Sequence, residues 1–126
     1  MRFALTLLTL LVVAGPARAD ERILSFDADI TVHADASMSV RETIRVRAEG
    51  VNIRRGIYRD FPTVYRDRFG NDIRVRFKLL GVSRDGQVEP SRVEDRSNGV
   101  RVYVGDPDVF LEPGEYSYVL AYETDR

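Results

Sequence analysis

Apolar and polar residues alternate along most of the chain after residue 19, as they do in β-strands that bury one face. The alternation is clearest from Leu24 to Ala34, where the even positions are apolar or small and the odd positions are polar. A second run extends from Met38 to Ala48 after a short turn, so the two strands should form an antiparallel hairpin. Glu42 occupies the apolar side of this second strand and breaks its pattern.

Further short strands are predicted along the rest of the chain, separated by turn residues such as Asp-Gly and Asn-Gly. They are residues 73–82, 88–94, 100–104 and 116–122. Pro90 assigns the second of them to a sheet edge. Six or seven short strands without helical periodicity predict an all-β fold, an antiparallel β-sandwich of the immunoglobulin or fibronectin type. Tyr116 follows a Pro-Gly pair as in fibronectin-type sandwiches, where such a tyrosine hydroxyl bonds back to the backbone.

The alternation stops between residues 51 and 65, and the segment Gly56-Ile57-Tyr58-Arg59-Asp60-Phe61-Pro62 lies at the centre of this interruption. Gly56 permits backbone angles that other residues avoid, and Pro62 fixes its own φ and lacks an amide donor. We therefore expect a shaped segment here, either a structural crossover or a binding loop.

Residues 1–19 have the pattern of a signal peptide. Arg2 precedes an apolar run over 3–13, and Ala17-Arg18-Ala19 matches a cleavage site. The run is shorter than the about 20 residues that span a bilayer. We expect residues 20–126 to be one exported domain, periplasmic or on the extracytoplasmic face of a bacterial membrane. The lack of cysteine fits this compartment better than a eukaryotic secretory route.

Charge is distributed unevenly along the exported part. Residues 41–78 carry a net charge of +6, between segments 20–40 at −4 and 79–126 at −5. This predicts either a solvated face with internal pairing or a basic patch for an anionic partner. The patch would need its two basic strands to share one sheet. Its candidates are Arg41, Arg45 and Arg47 on one strand and Arg74, Arg76 and Lys78 on another.

The sequence assigns no catalytic, cofactor-binding or metal-binding residue. His33 is the sole histidine and lies on a polar strand face, and there is no nucleophile elbow, phosphate loop or zinc ligand set. The chain has many carboxylates, so a glycosidase pair is not excluded, but no spacing identifies which two would form it. Asp106 and Asp108 suit turn capping better than calcium. Export, and the position of Phe77 opposite the basic residues, argue against nucleic acid.

Several stretches together resemble one bacterial family. They are Val40-x-Glu42-x-Ile44-x-Val46, Ile53 to Pro62, Val102-x-Val104-Gly105 and Gly114-Glu115-Tyr116-x-Tyr118-x-Leu120-x-Tyr122. This is similar to the N-terminal domain of the predicted membrane proteins grouped as domain of unknown function 2207, over nearly all of the exported part. The resemblance implies a signal peptide, an extracytoplasmic β domain and transmembrane helices, with no established activity and no catalytic residues.

Two features depart from that family pattern. The sequence ends at Arg126 without a membrane helix, so we expect a fragment of a longer protein that is anchored through a segment outside this chain. The first turn reads Asp35-Ala36 where the family favours Asp-Gly.

The leading hypothesis is a non-enzymatic recognition or scaffold domain of an envelope membrane protein. Its partner would be an unknown envelope protein or an anionic membrane surface. A glycan- or small-ligand-binding module that uses Tyr58, Tyr65 and residues 54–59 is an alternative, as is an envelope hydrolase with unidentified carboxylates. The structural or binding candidates are Glu42, Arg54, Arg55, Gly56, Tyr58, Arg59, Asp60, Phe61 and Pro62.

Glu42 gives the sharpest structural expectation. A buried carboxylate is costly unless it is paired. We expect Glu42 to accept two hydrogen bonds from Arg59, or failing that from Arg54 or Arg55, since guanidinium matches carboxylate. The alternative is a local bulge that turns Glu42 outward to solvent.

Overall fold

A computed structural model describes residues 20–125 of the chain as an all-β, antiparallel structure. Its strands are β1 (Arg22–Val32), β2 (Met38–Ala48), β3 (Ile57–Pro62), β4 (Val64–Arg66), β5 (Asp72–Arg74), β6 (Arg76–Arg84), β7 (Gln87–Val88), β8 (Ser91–Arg96), β9 (Gly99–Val104) and β10 (Gly114–Asp125). In this part of the chain no helix is long and apolar enough to cross a membrane. The predicted signal peptide lies outside the described residues.

The strands form a five-stranded sheet in the order β1-β2-β10-β6-β7, a three-stranded sheet β3-β9-β8 and a small β4-β5 pair. Side chains from the two larger sheets meet in one core. The core residues are Val40, Ile44, Val46, Phe61, Val82, Val102, Val104, Leu111, Tyr118, Leu120 and Tyr122. They alternate along β2, β9 and β10, because period-two strands place every second side chain on the same face.

The predicted all-β antiparallel fold and the first hairpin are confirmed, with changes in strand boundaries. The predicted strand 73–82 is two strands, β5 and β6, interrupted at Val75. The predicted strand 88–94 is also two strands, because Pro90 stands where the chain leaves the five-stranded sheet and enters the other one. The predicted tyrosine bond is confirmed as well, since the Tyr116 hydroxyl donates to the Glu112 carbonyl at 2.5 Å.

The expectation that residues 56–62 form a non-periodic crossover or loop is wrong. Residues Ile57–Pro62 are strand β3, paired with β9 along its whole length. Ile57, Arg59 and Phe61 are more buried than their neighbours Tyr58 and Asp60, so the period of two continues. The sequence pattern conceals it because an arginine occupies the central inward position.

The expectation that β1 buries its apolar face is also wrong. Phe26, Ile30 and Val32 are 48%, 58% and 67% exposed. β1 is the edge strand of the five-stranded sheet, and the core includes side chains from β2, β10 and β6 but none from β1. The three-stranded sheet therefore covers the middle of its partner and leaves the β1 side open.

The β1–β2 turn holds a non-glycine residue in the left-handed region. Ala36 has a φ of 69°, its amide donates to the His33 carbonyl, and Asp35 accepts from the Ser37 amide. This conformation costs about 1–2 kcal/mol for a residue with a Cβ. It explains why a glycine suits this position better than alanine.

Ala36→Gly should raise the free energy of unfolding by about 0.5–1 kcal/mol, because removal of the Cβ strain exceeds the entropy that glycine adds to the unfolded chain. Urea denaturation measures it as a higher midpoint with an unchanged slope. Ala28→Gly, within extended β1, should lower the midpoint instead. A lower midpoint for Ala36→Gly would contradict the strain assignment.

Gly56 is required by the close approach of the β3 and β9 backbones. A Cβ on Gly56 would lie 1.8 Å from the Val104 carbonyl oxygen, and one on Gly105 would lie 2.1 Å from the Arg55 carbonyl oxygen. Gly56→Ala should therefore cost more than about 2 kcal/mol in thermal or urea unfolding. Gly81→Ala is the matched control, because nothing lies within 4 Å of its Cβ. Equal effects of the two changes would refute the close approach.

Candidate functional site

A buried ion pair joins the two sheets. Glu42 on β2 is 2% exposed. Its Oε2 accepts from Arg59 Nε at 3.0 Å and its Oε1 accepts from Arg59 Nη2 at 2.8 Å. The Tyr122 hydroxyl on β10 donates to the same Oε1 at 2.7 Å. The predicted two-pronged pairing with Arg59 is confirmed, and the outward bulge is wrong.

Aromatic rings surround this network. Phe61, Phe77 and Tyr122 pack with ring centroids between 4.7 and 5.2 Å apart. The Arg59 guanidinium lies 4.6 Å from the centroid of the Phe61 ring and 5.4 Å from that of Phe26. Excluding water in this way strengthens the charge-assisted hydrogen bonds. The inward side chains of β3 therefore fasten that strand to β2 and β10.

The environment fixes the charge states of the network. Burial, followed by the bond to Glu42, raises the pKa of the Tyr122 hydroxyl, which therefore stays neutral. The hydrogen bonds to Glu42 raise the pKa of Arg59. Because its folded pKa is raised, Tyr122 contributes stability fully below the unfolded tyrosine pKa of about 10. That contribution is lost as pH rises above this value through the folded pKa.

The outer face of the three-stranded sheet carries stacked arginines and tyrosines. Arg101 donates to both Asp60 oxygens, at 2.6 and 2.9 Å, and its guanidinium lies 4.2 Å from the Tyr58 ring centroid. Arg92 lies 4.4 Å from the Tyr103 centroid, and the Tyr58 and Tyr103 rings are 6.2 Å apart. The hydrogen bonds from Arg101 lower the pKa of Asp60. Tyr58, Tyr103 and Arg92 occupy one cross-strand row.

A cavity of about 400 Å³ opens at the end of this row. Gly56, Val104 and Gly105 contribute to its lining where the backbones of β3 and β9 approach closely. The charged and aromatic side chains in its lining are Arg54, Arg55, Tyr58, Arg92, Tyr103 and Asp106. Because neither glycine has a Cβ, the two backbones can approach each other closely at this wall of the cavity.

Glu21 anchors the loop that leads into the cavity. Its two carboxylate oxygens accept backbone amide hydrogens from Glu49, Val51, Asn52 and Ile53 at 2.7–3.2 Å. Although partial burial acts to raise the pKa of Glu21, these bonds lower it overall. Arg54 Nε donates to the Val51 carbonyl at 2.6 Å within the same loop. The chain segment just after the predicted leader thus positions one wall of the cavity.

The charge of the cavity lining is positive, with three arginines against one aspartate. Arg55 stacks on Phe110 at 4.4 Å. Asp106 accepts the Asp108 amide hydrogen at 2.9 Å, which is the turn-capping role expected for it. Guanidinium forks and ring faces can bind an anionic group attached to a flat or apolar body.

Of the two alternatives for the basic strands, the structure favours internal pairing over a single basic patch. β2 and β6 do share that sheet, but β10 lies between them and Arg74 belongs to the β4-β5 pair. Glu115 of β10 pairs with both Arg45 and Arg47, and Asp125 pairs with Arg76 at 3.4 Å. The sequence left both alternatives open because the acidic residues of β10 are far from the basic strands along the chain.

The structure divides the sequence candidates into three groups. Glu42, Arg59 and Phe61 form the interior network, while Arg54, Arg55, Gly56 and Tyr58 line the cavity. Asp60 is held by Arg101, and Pro62 ends the edge strand β3, where its missing amide is tolerated. Tyr65 is on β4 and does not line the cavity.

Sequence reasoning missed Arg92, Arg101, Tyr103 and Glu21. The outward alternation of β9 could have identified Arg101 and Tyr103, since both alternate with its buried valines. Arg92 becomes apparent only from the register between β8 and β9. No sequence pattern marks Glu21.

Comparisons with known proteins agree with the resemblance seen in the sequence. The sequence profile described as "Predicted membrane protein (DUF2207) N-terminal domain" matches residues 22–126. The uncharacterized protein YciQ of Escherichia coli (strain K12) is 31% identical over 104 residues, which cover 82% of this chain and 16% of that protein. The chain therefore spans about a sixth of the length of this relative. No solved structure matches.

Glu42→Gln should lower the free energy of unfolding by about 2–4 kcal/mol, because it leaves the partly buried Arg59 guanidinium without its counter-charge. Chemical denaturation monitored by circular dichroism measures the loss. Glu115→Gln is the matched control, since its pairs with Arg45 and Arg47 are exposed and should contribute less than about 1 kcal/mol. A Glu42→Gln effect no larger than the control would contradict the buried pairing.

Proposed function

This chain belongs to the family of predicted membrane proteins that share the DUF2207 N-terminal domain, and we propose that it is a non-enzymatic recognition domain of a bacterial envelope protein. The observation that carries the proposal is the cavity lined by Arg54, Arg55 and Arg92 together with Tyr58 and Tyr103. Its ligand is an anionic component of the cell envelope. Any activity of the full-length protein is likewise a proposal, because this chain spans 16% of the length of its relative YciQ.

The composition of the cavity supports an anionic ligand. Arginine presents a planar fork of donors that matches carboxylate and phosphate, and it remains charged at any physiological pH. Arg54 and Arg55 make no salt bridge with the described carboxylates, while Arg92 has a contact of 3.6 Å with Glu94. Their charge is thus available to a ligand, whereas Arg59 and Arg101 are engaged by Glu42 and Asp60.

The same lining supports a binding role over catalysis. A glycosidase needs two positioned carboxyl groups, and a nucleophilic hydrolase needs a nucleophile beside a base. The described lining contributes one carboxylate, that of Asp106, which caps a turn, and one hydroxyl of the nucleophile type, that of Ser91. The hydrolase alternative gains no support from this geometry.

Location and architecture complete the proposal. The signal-peptide pattern over residues 1–19 supports export, so residues 20–126 would form one domain on the extracytoplasmic face. The domain would be held near the membrane by a segment outside this chain. Two facing antiparallel sheets and the Tyr116 hydroxyl bond support an immunoglobulin- or fibronectin-like sandwich.

A glycan-binding module is the second candidate, and it rests on the exposed tyrosines. Tyr58 is 58% exposed, and its ring lies 6.2 Å from that of Tyr103 at the cavity rim. Aromatic faces of this kind can stack on a sugar ring. A glycan with acidic groups would fit both candidate functions, because it could bind the arginines and the tyrosines. A neutral glycan would use the tyrosines alone.

The test is a titration followed by amide NMR. The probes are inorganic phosphate, a soluble peptidoglycan fragment with a free carboxylate, and a neutral N-acetylglucosamine oligomer. We expect the Gly56 and Gly105 amide signals to shift with the two anionic probes, and the apparent Kd to rise with salt. Arg55→Gln with Arg92→Gln should weaken binding by about 10–100-fold, from the loss of charge-assisted hydrogen bonds.

Arg66→Gln with Arg68→Gln is the matched control, because both residues are exposed and lie outside the cavity lining. It should leave the titration unchanged. Shifts with the neutral oligomer alone would favour the glycan candidate. No shift at Gly56 or Gly105 with any anionic probe at millimolar concentration would overturn the proposal.

A further inference from the structure

The five-stranded sheet has two open edges. β1 pairs with β2 on one side, and no described strand pairs with its other side from Arg22 to Val32. At the opposite edge β7 pairs only with Ser83 and Arg84, and no described strand pairs with that side of β6 over residues 76–81. Open edges present unpaired amide and carbonyl groups that can pair with another strand.

The β1 edge is apolar on one face and acidic on the other. Phe26 and Ile30 project to the core side of the sheet yet stay about half exposed. Asp27 and Asp29 project to the outer side and form no salt bridge with any described residue. A strand that fits this edge would carry apolar residues on its inner side and basic residues on its outer side.

The β6 edge has that complementary pattern. Phe77 and Leu79 are half-buried and project to the core side of the same sheet. Arg76 and Lys78 project to the outer side, and the Arg76 side chain is 85% exposed. The registers β1–β2, β2–β10 and β10–β6 place both sets of charges on the same outer face.

We propose that the β1 edge of one copy of this chain pairs with the β6 edge of a second copy. β1, β2, β10 and β6 alternate in direction, so a β1 strand beside β6 of the next copy continues the antiparallel sheet. The register that satisfies the charges sets Asp27 opposite Lys78 and Asp29 opposite Arg76. Phe26 then faces Leu79 across the new pair, which covers the exposed apolar stripe.

Charge selects this arrangement over the symmetric ones. Two β1 edges would bring the aspartates of both copies together, and two β6 edges would do the same with the basic residues. Like charges directly opposite in a sheet are destabilising, whereas opposite charges contribute about 0.2–1 kcal/mol per pair. A head-to-tail contact leaves one free edge at each end, so the assembly is open and grows with concentration.

The experiment is sedimentation velocity on the chain expressed in full in a bacterial host. We expect the weight-average mass to rise with concentration beyond that of a dimer and to fall with added salt. Asp27→Lys with Asp29→Lys makes both edges basic, and Arg76→Glu with Lys78→Glu makes both acidic. Each variant alone should self-associate at least about tenfold more weakly, and an equimolar mixture of the two should associate again.

Asp95→Lys with Asp108→Lys is the control for the aspartate reversal. It changes the net charge by the same amount and sign, at exposed positions away from both edges. It should associate as the unchanged chain does. If circular dichroism shows that a double reversal is unfolded, Asp29→Asn replaces it and should weaken association severalfold. A monomer at all concentrations, a closed dimer, variants that associate normally, or a mixture that stays monomeric would overturn the proposal.

Discussion

The bond between Glu42 and Arg59 is the interaction on which the rest of this structure depends. A carboxylate in the core would be strongly destabilising alone, so the sheet must bring a cation to it. Arg59 and the Tyr122 hydroxyl satisfy both carboxylate oxygens. Since Arg59 is at the centre of β3, the same contact fixes which face of β3 turns inward and where that strand sits on the sheet. Removing Arg59 would leave the buried Glu42 carboxylate uncompensated, and removing Glu42 would leave the partly buried Arg59 without its counter-charge.

β3 consequently has two faces with different roles. Its inward side chains belong to the ion pair and the aromatic cluster. On its outward side Tyr58 stacks with Arg101 of β9, and Gly56 just before β3 allows the close backbone approach near Gly105. The cavity forms at this point of close approach. The interior network therefore positions the proposed binding site, although Glu42, Arg59 and Tyr122 do not line its cavity.

The sequence predicted some of this and missed the rest for physical reasons. The position of Glu42 on an apolar strand face predicted that it pairs with an arginine, because a buried charge must be neutralised. Few arginines near it in sequence were candidates. Arg59 is also the reason that strand β3 was not predicted, since an alternating pattern assigns a charged residue to the outward face. Alternation also identified the apolar face of β1 but contained no information on whether a second sheet covers it. The choice between a basic patch and internal pairing stayed open in the sequence because β10, which places acidic residues between β2 and β6, is distant from both along the chain. Long-range strand order, which decides these points, is not a local property of the chain.

A double-mutant cycle across Glu42 and Arg59 tests the central claim most directly. The variants are Glu42→Gln, Arg59→Met and the pair together, with the free energy of unfolding measured for each by denaturation. Direct pairing in a buried site predicts that the double variant loses less free energy of unfolding than the sum of the two single losses, by at least about 1.5 kcal/mol. Additive losses within about 0.5 kcal/mol would contradict the claim that this ion pair joins the two sheets.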